Sequence, residues 1–142
     1  MSIFPKSRVL APIDFSELSL EAIQVGLEVV DDPSHLYVFH VLPHLNPGEP
    51  GVMWRTVDDE TRQKHVEETF REQFSGPEYE KVNFSSAIGT PSEEIIDFAN
   101  ASKIELIVIS SHGRTGIGRF LLGSVAEKVV RYAHCPVLVL RR

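Results

Sequence analysis

Short apolar runs alternate along this chain with amphipathic segments, and the alternation predicts the order of strands and helices. Four runs are rich in apolar and β-forming residues, as buried strands are, and cover residues 9–13, 36–41, 104–109 and 137–140. A fifth run, 82–85, alternates apolar and polar residues, which predicts a half-exposed or edge strand.

Between these runs lie four segments whose apolar residues recur at steps of three and four, the period of an α-helix. The apolar positions are Leu20, Ile23, Leu27 and Val30 in the first, Val66, Phe70 and Phe74 in the second, Ile95, Ile96 and Ala99 in the third, and Val125, Val129 and Tyr132 in the fourth. The last of these segments predicts a helix over residues 125–133.

Two of the predicted helices carry clear start signals. Thr90 is placed as an N-cap, Pro91 lies in the first turn, and Glu93 completes a capping box. Ser124 and Glu127 repeat that spacing at the start of the fourth helix, so we expect Ser124 to cap it.

The strand–helix order predicts an α/β fold, a doubly wound open five-stranded parallel sheet with helices on both faces. The 142 residues fit a single domain over 1–142. In such a sheet, ligands lie beyond the carboxyl ends of the strands, where the strand order reverses. Asp14, Val41 and residues 110–113 follow the first, second and fourth strands, so the sequence predicts a site built from them.

Composition narrows the function classes. A net charge of −6 argues against a nucleic-acid-binding surface. No apolar run approaches the ~20 residues that span a bilayer, and residues 1–8 lack the apolar middle of a signal peptide. Cys135 is the single cysteine, so an internal disulfide is excluded. We therefore expect a cytoplasmic protein without membrane insertion, with Cys135 buried beside Pro136.

The candidate chemistry lies between the fourth strand and the fourth helix. Residues 110–113 are Ser-Ser-His-Gly, and Gly123 and Ser124 follow after nine further residues. A strand, a glycine-containing loop and a helix start together form an anion cradle, because the first N–H groups of a helix lack partners and its dipole favours negative charge. The sequence predicts phosphate binding without a catalytic side chain.

Several residues of this region have two interpretations. Asp14 is predicted either to bind a ribose hydroxyl or a divalent cation, or to cap the first helix together with Ser16. Ser124 is predicted to cap its helix, and its hydroxyl could also meet a phosphate, with the N–H groups of Ser124 and Val125 free for an anion. For His112 we favour hydrogen bonds to loop backbone over a catalytic role.

Outside the site, His40 is expected to be packed and hydrogen-bonded within its strand. The segment 43–56, which holds Trp54, is rich in proline and glycine and is predicted to be a long loop, either a lid or a connector. The sequence lacks the P-loop pattern, the complete dinucleotide fingerprint, the nucleophile elbow and paired-cysteine metal sites.

With these motifs in hand, the chain resembles the universal stress proteins along nearly its whole length. The resemblance rests on residues 9–16, His40 and Val41, residues 89–91, residues 111–127 and residues 135–139. It implies a fold like that of the adenine nucleotide alpha-hydrolases. The ATP-binding class has Gly, two residues, Gly, nine residues, Gly and Ser or Thr. Gly113, Gly123 and Ser124 match that pattern, and Ser110 replaces its first glycine.

The resemblance also implies a ligand and a partner. ATP, or AMP or ADP, with Mg²⁺ would bind with its adenine against the Val41 backbone and near Ile13, and with Asp14 facing the ribose or the metal. Backbone amides of Gly113, Gly123, Ser124 and Val125 would hold the phosphates. The full set of implied nucleotide-binding residues is Pro12, Ile13, Asp14, Val41, Ser110, His112, Gly113, Gly123, Ser124 and Val125. A homodimer would form through the edge strand Val137–Leu140.

Three functions follow from these observations. The first is an ATP-binding stress or regulatory protein with an unidentified protein partner, in which the nucleotide biases a conformation or a surface. The second is a slow ATPase or self-phosphorylating enzyme that uses His112, Ser111 or Ser124. The third is an interaction module that has lost nucleotide binding, which Ser110 would suggest.

Overall fold

The sheet has five parallel strands in the order β3-β2-β1-β4-β5. The structure, a computed structural model, describes residues 6–44, 58–112 and 122–141. The strands are β1 (Val9–Ile13), β2 (Leu36–Leu42), β3 (Asn83–Ile88), β4 (Leu106–Ser110) and β5 (Val137–Leu140). The parallel α/β architecture and the position of β3 at an edge are therefore confirmed.

Four α-helices cover the two faces of this sheet in the described part of the chain. They are α1 (Glu17–Val29), α2 (Asp59–Gln73), α3 (Pro91–Ala101) and α4 (Ser124–Tyr132), and short 3₁₀ turns occupy Pro33–His35 and Pro77–Tyr79. Each of these α-helices is too short or too polar to cross a bilayer.

The two faces of the sheet carry two separate cores. Residues of β1 alternate between them: Val9 and Ala11 pack with Ala22, Ile23 and Phe70 of α1 and α2. On the opposite face, Leu10, Phe39 and Ile107 pack with Ile95 and Ala99 of α3 and with Ala126 and Val129 of α4. Because β1 is fully buried, its sequence is apolar throughout instead of alternating.

Three strands differ from the predicted limits, and β2 does so by one residue, since it ends at Leu42 and not at 41. β4 was expected over 104–109 but begins at Leu106, because the Ile104 N–H bonds to the Ala99 carbonyl and so closes the end of α3. Lys103 in that turn has a φ of 54°, the left-handed conformation that ends many helices. β3 covers Asn83–Ile88 and so continues beyond the predicted 82–85, since Ser86, Ala87 and Ile88 still pair with β2.

The helix starts also correct the sequence predictions. Thr90 is the N-cap of α3, but its side chain makes no capping hydrogen bond. The N-cap of α4 is Gly123, so the expectation that Ser124 caps this helix is wrong.

Cys135 is only partly buried, against the core beneath α3 and α4, and this burial raises the pKa of its thiol.

The strand order reverses between β1 and β4, and the crevice of the fold opens there. β1 pairs with β2 along its whole length, from Val9 to Ile13, but with β4 only at Val9 and Leu10. Pro12 has no N–H to contribute to a ladder. The carboxyl ends of β1 and β4 are therefore unpaired with each other, at the place where open α/β sheets bind ligands.

Candidate functional site

A cavity of about 440 Å³ lies over the carboxyl ends of β1, β2 and β4. It is lined by all the predicted site residues that the structure describes. These are Pro12, Ile13, Asp14, Val41, Ser110, His112, Gly123, Ser124 and Val125. Residues that lie more than a hundred positions apart along the chain thus meet at one place, as the strand-end rule predicts.

Sequence reasoning missed a second group of lining residues, most of them apolar. They are Ser19, Phe39, Pro91, Ile95, Ile109 and Ala126. Pro91 and Ile95 belong to α3, which follows the carboxyl end of β3. The strand-end rule, applied to the third strand as well as to the first, second and fourth, would have found them.

The interior of the cavity is apolar. Phe39, Ile95 and Ile109 are each at most 4% exposed. Phe39 stacks on Phe98 of α3 with ring centroids 4.6 Å apart, which fixes the ring. The flat face of a ring system such as a purine base would fit such a surface, with its polar edge left for backbone groups at the rim.

On the β1 side, the start of α1 is closed by its own side chains. The Ser16 hydroxyl accepts the Ser19 N–H at 3.3 Å, and an Asp14 carboxylate oxygen accepts the Ser16 N–H at 3.0 Å. The Asp14 N–H in turn donates to Ser19 Oγ at 3.1 Å. Ser16 is therefore the N-cap of α1, and Asp14 supports it from the turn before the helix. Asp14 also lines the cavity, so its predicted contact with a ribose hydroxyl or a cation stays a prediction.

The turn that carries Asp14 is held in an unusual conformation. Phe15 has a φ of 64°, in the left-handed region that bulky residues rarely adopt. His40 supports the turn from β2: its Nδ1 donates to the Ile13 carbonyl at 2.8 Å, and the Phe15 ring meets its imidazole edge-on at 5.0 Å. The prediction of a packed, hydrogen-bonded His40 is confirmed.

On the β4 side, the start of α4 is open. The Glu127 N–H is the first to bond within the helix, to the Gly123 carbonyl at 2.9 Å. The N–H groups of Ser124, Val125 and Ala126 precede it and have no intrahelical acceptor, and the Gly123 N-cap has no side chain to offer one. Glu127 pairs with Arg131 of the next turn instead of completing a capping box.

Gly123 allows α4 to begin against the end of β4. Its N–H donates to the Ser111 carbonyl at 2.6 Å. A Cβ at this position would lie 3.2 Å from His112 Cα and 3.3 Å from the Ser111 carbonyl oxygen, closer than such atoms normally approach. The expectation that the Gly123 amide holds a phosphate is therefore not met, because this amide is already hydrogen-bonded.

With this geometry described, similarity to known proteins identifies the family of the chain. The family model of the universal stress proteins matches residues 6–141. The chain belongs to the universal stress protein family. Within it, the chain is 34% identical over 140 residues to MJ0531 of Methanocaldococcus jannaschii, a match that covers 95% of this chain and 82% of that protein.

Solved structures of the family share the fold of this universal stress protein. The structure of MJ0577, another M. jannaschii universal stress protein, superposes with a TM-score of 0.75 at 28% identity, and the match covers 97% of each chain. UspA of Lactobacillus plantarum superposes with a TM-score of 0.71 at 26% identity, over 95% of this chain and 97% of that one.

The histidine of the site has a different partner from the one expected. His112 Nδ1 lies 3.1 Å from the Ser111 hydroxyl, so a neighbouring side chain takes the place of the expected loop backbone. Ser111 is 4% exposed, and its own N–H donates to the Leu140 carbonyl of β5 at 2.7 Å. Both residues are thereby held against the sheet.

Some predicted features of this universal stress protein lie outside the described residues. They are Gly113 and most of the segment 43–56, including Trp54. Within the described ranges, no group of three or more histidine, cysteine, aspartate or glutamate side chains is arranged to hold a metal ion.

Proposed function

We propose that this universal stress protein binds an adenine nucleotide, ATP foremost, and acts as a nucleotide-liganded regulatory protein of the stress response. The observation that carries the proposal is the open start of α4 at the rim of an apolar cavity. One end of the cavity suits a base, and the other offers main-chain donors to an anion.

The base and the sugar would occupy the part of the cavity nearest β1 and β2. Phe39, Ile95 and Ile109 provide the apolar surface for the adenine, whose polar edge would meet the Val41 backbone. Asp14 lies at the end of β1, where its carboxylate can accept a hydrogen bond from a ribose hydroxyl while it keeps its bond to the Ser16 N–H.

The phosphates would lie at α4. The N–H groups of Ser124, Val125 and Ala126 are free of intrahelical bonds, and the positive end of the helix dipole adds to them. The Ser124 side chain is exposed and can donate as well. Phosphate binding of this kind needs no catalytic side chain, so the nucleotide would be retained as a ligand.

A magnesium ion fits the site only together with the phosphates. Among the described residues, Asp14 is the carboxylate that lines the cavity, and Mg²⁺ prefers six oxygen ligands. Phosphate oxygens and water would therefore supply most of its ligands, and the ion would reduce the repulsion between Asp14 and the triphosphate.

Two more distant members of the fold support the choice of ligand. A universal stress protein family protein of Arabidopsis thaliana, 18% identical to this chain, was solved with AMP bound, and another universal stress protein, 20% identical, was solved in complex with cAMP. These ligands belong to those proteins, and both are adenine nucleotides.

The same proposal includes a homodimer through β5. This strand is an edge of the sheet, and Leu138 on it is 37% exposed. Nearby on α4, Val130 and Tyr132 are 45% and 56% exposed. An apolar edge with free backbone groups suits pairing with its own copy across a two-fold axis.

Calorimetric titration with adenosine, AMP, ADP, ATP and GTP tests the proposed function. We expect affinity to rise as phosphates are added to adenosine, and ATP to bind more tightly than GTP. A Kd of ~1 μM at ~1 mM ATP would stabilise the fold by about 4 kcal/mol, which a thermal scan detects. Sedimentation velocity on the same samples reports the dimer. Phosphate release reports any turnover, the alternative in which His112, Ser111 or Ser124 would act.

A substitution that places a negative charge at the start of α4 tests most directly whether phosphates bind there. Ser124→Asp should weaken ATP binding by about 100-fold, since juxtaposed like charges cost several kcal/mol. Ser124→Asn is its neutral counterpart. Ser75→Asp adds the same charge at an exposed serine beyond α2, away from the cavity, and should leave the affinity unchanged. No binding of any adenine nucleotide, or equal losses in both aspartate variants, would contradict the proposal.

A further inference from the structure

Ser110 differs from the other nearly buried serines around the cavity. It is the last residue of β4, it lines the cavity and it is only 7% exposed. Ser19 Oγ is hydrogen-bonded to the Ser16 carbonyl, and Ser111 Oγ to His112. Among the residues that the structure describes, the Ser110 hydroxyl has no hydrogen-bond partner.

The position of this hydroxyl can be narrowed further. Within the described ranges, every side-chain oxygen or nitrogen that is fully inaccessible to solvent has a hydrogen-bond partner. Since Ser110 Oγ has no partner, it must retain contact with solvent, and the space that Ser110 borders is the cavity. A nearly buried hydroxyl is incompletely hydrated, so an acceptor brought by a ligand would satisfy it at little desolvation cost.

Ser110 is also closely connected, through the backbone, to the residues at which an anion would bind. The next residue, Ser111, accepts the Gly123 N–H at 2.6 Å, and this bond joins the end of β4 to the start of α4. Ser110 is thus one residue from a contact with the N-cap of α4, whereas Asp14 lies across the crevice at the end of β1. Ser110 and the first residues of α4 line the same cavity, so a negatively charged acceptor at those open amides, such as a phosphoryl oxygen, would be a suitable partner for the hydroxyl.

We infer that Ser110 Oγ donates a hydrogen bond to a phosphoryl oxygen of the bound nucleotide. The inference rests on the proposed function and adds a side-chain contact to a site otherwise formed by main-chain amides. A glycine at position 110 would offer only its backbone. In this chain, part of the affinity for the phosphate therefore depends on one hydroxyl group.

Two substitutions of Ser110, each titrated with AMP and with adenosine, test the contact. Ser110→Ala and Ser110→Gly both remove the hydroxyl. Each should weaken AMP binding by about ten-fold, the usual effect of a hydrogen bond to a charged group, and leave adenosine binding unchanged. Ser92→Ala is the matched control, because Ser92 is a 4% exposed serine on α3 that does not line the cavity.

The outcomes separate the inference from the proposed function. If wild-type protein binds AMP and Ser110→Gly binds it as well or better, the backbone makes the contact and the inference is wrong. Equal losses for AMP and adenosine would assign Ser110 a structural role and also overturn it. If wild-type protein binds neither ligand, the proposed function fails, and the inference fails with it.

Discussion

The helices on the two faces of the sheet begin in opposite ways. On one face, the N-caps of α1 and α2 are Ser16 and Asp58, and the side chain of each accepts an N–H of its own helix. On the other face, α3 and α4 begin at Thr90 and Gly123, and neither start has a side-chain capping bond. The open starts are those of the helices that form the α3–α4 wall of the cavity.

Within this fold, the capped helix starts contribute to stability, and the open starts leave donors for a ligand. A capping side chain contributes about 1 kcal/mol to a helix, and α1 and α2 have that contribution. An uncapped start forgoes it and keeps its N–H groups available for another acceptor. At α3, Pro91 has no N–H, so the start of this helix leaves only the N–H groups of Ser92 and Glu93 without an intrahelical acceptor. The start of α4 leaves three such donors.

Replacing the glycine at the start of α4 should have the largest effect on this arrangement. In Gly123→Val the side chain would press on His112 Cα and the Ser111 carbonyl, already at 3.2 and 3.3 Å from a single Cβ. Overpacking of this kind costs roughly 1–3 kcal/mol. We expect a lower Tm in thermal unfolding and loss of ATP binding in calorimetry, since displacing α4 moves its amides. A variant with wild-type Tm and affinity would show that α4 does not need this close approach.

The sequence predicted those parts of the fold that depend on local pattern. The limits of Val9–Ile13 and Val137–Leu140 agree with the structure, because apolar runs between turns determine where these strands begin and end. Part of the described cavity lining followed from topology, since Asp14, Val41 and Ser110 come at strand ends. That rule needs only the strand order, which alternating strands and helices largely determine.

The start of α4 could not be predicted in the same way. Ser124 and Glu127 have the spacing of a capping box, and this local signal favoured a cap one residue too late. Gly123 takes the position because its N–H bonds to the Ser111 carbonyl, a contact twelve residues back along the chain. Such a tertiary hydrogen bond leaves no periodic trace in the sequence. The contact between Ser111 and His112 was missed because it depends on side-chain rotamers.

Removing a cap on each face should give a smaller and asymmetric effect. Ser16→Ala loses the hydroxyl that accepts the Ser19 N–H, so we expect the free energy of unfolding to fall by about 1 kcal/mol and the Tm by about 2–4 °C. Thr90→Ala removes a side chain that makes no capping bond, so its free energy of unfolding should stay within about 0.5 kcal/mol of the wild-type value. Thermal scans of both variants measure the difference. Equal losses would mean that Thr90 caps α3 in solution, and the contrast between the faces would fail there.

The smallest expected effect concerns the acid stability of the capped face. The Thr61 N–H, 2.7 Å from Asp58 Oδ1, holds the pKa of this carboxyl below its ordinary value of 3.8. Because the pKa of Asp58 is lowered in the folded state, the cap stabilises the protein at pH values above the ordinary pKa. This stabilisation is lost as the pH falls through the lowered pKa. Asp58→Asn keeps a capping oxygen that does not titrate. Tm measured from about pH 6 down to about pH 3 should therefore fall less steeply in the variant than in wild type. Identical slopes would show that protonation of Asp58 does not open the start of α2, and that other carboxylates account for the acid sensitivity.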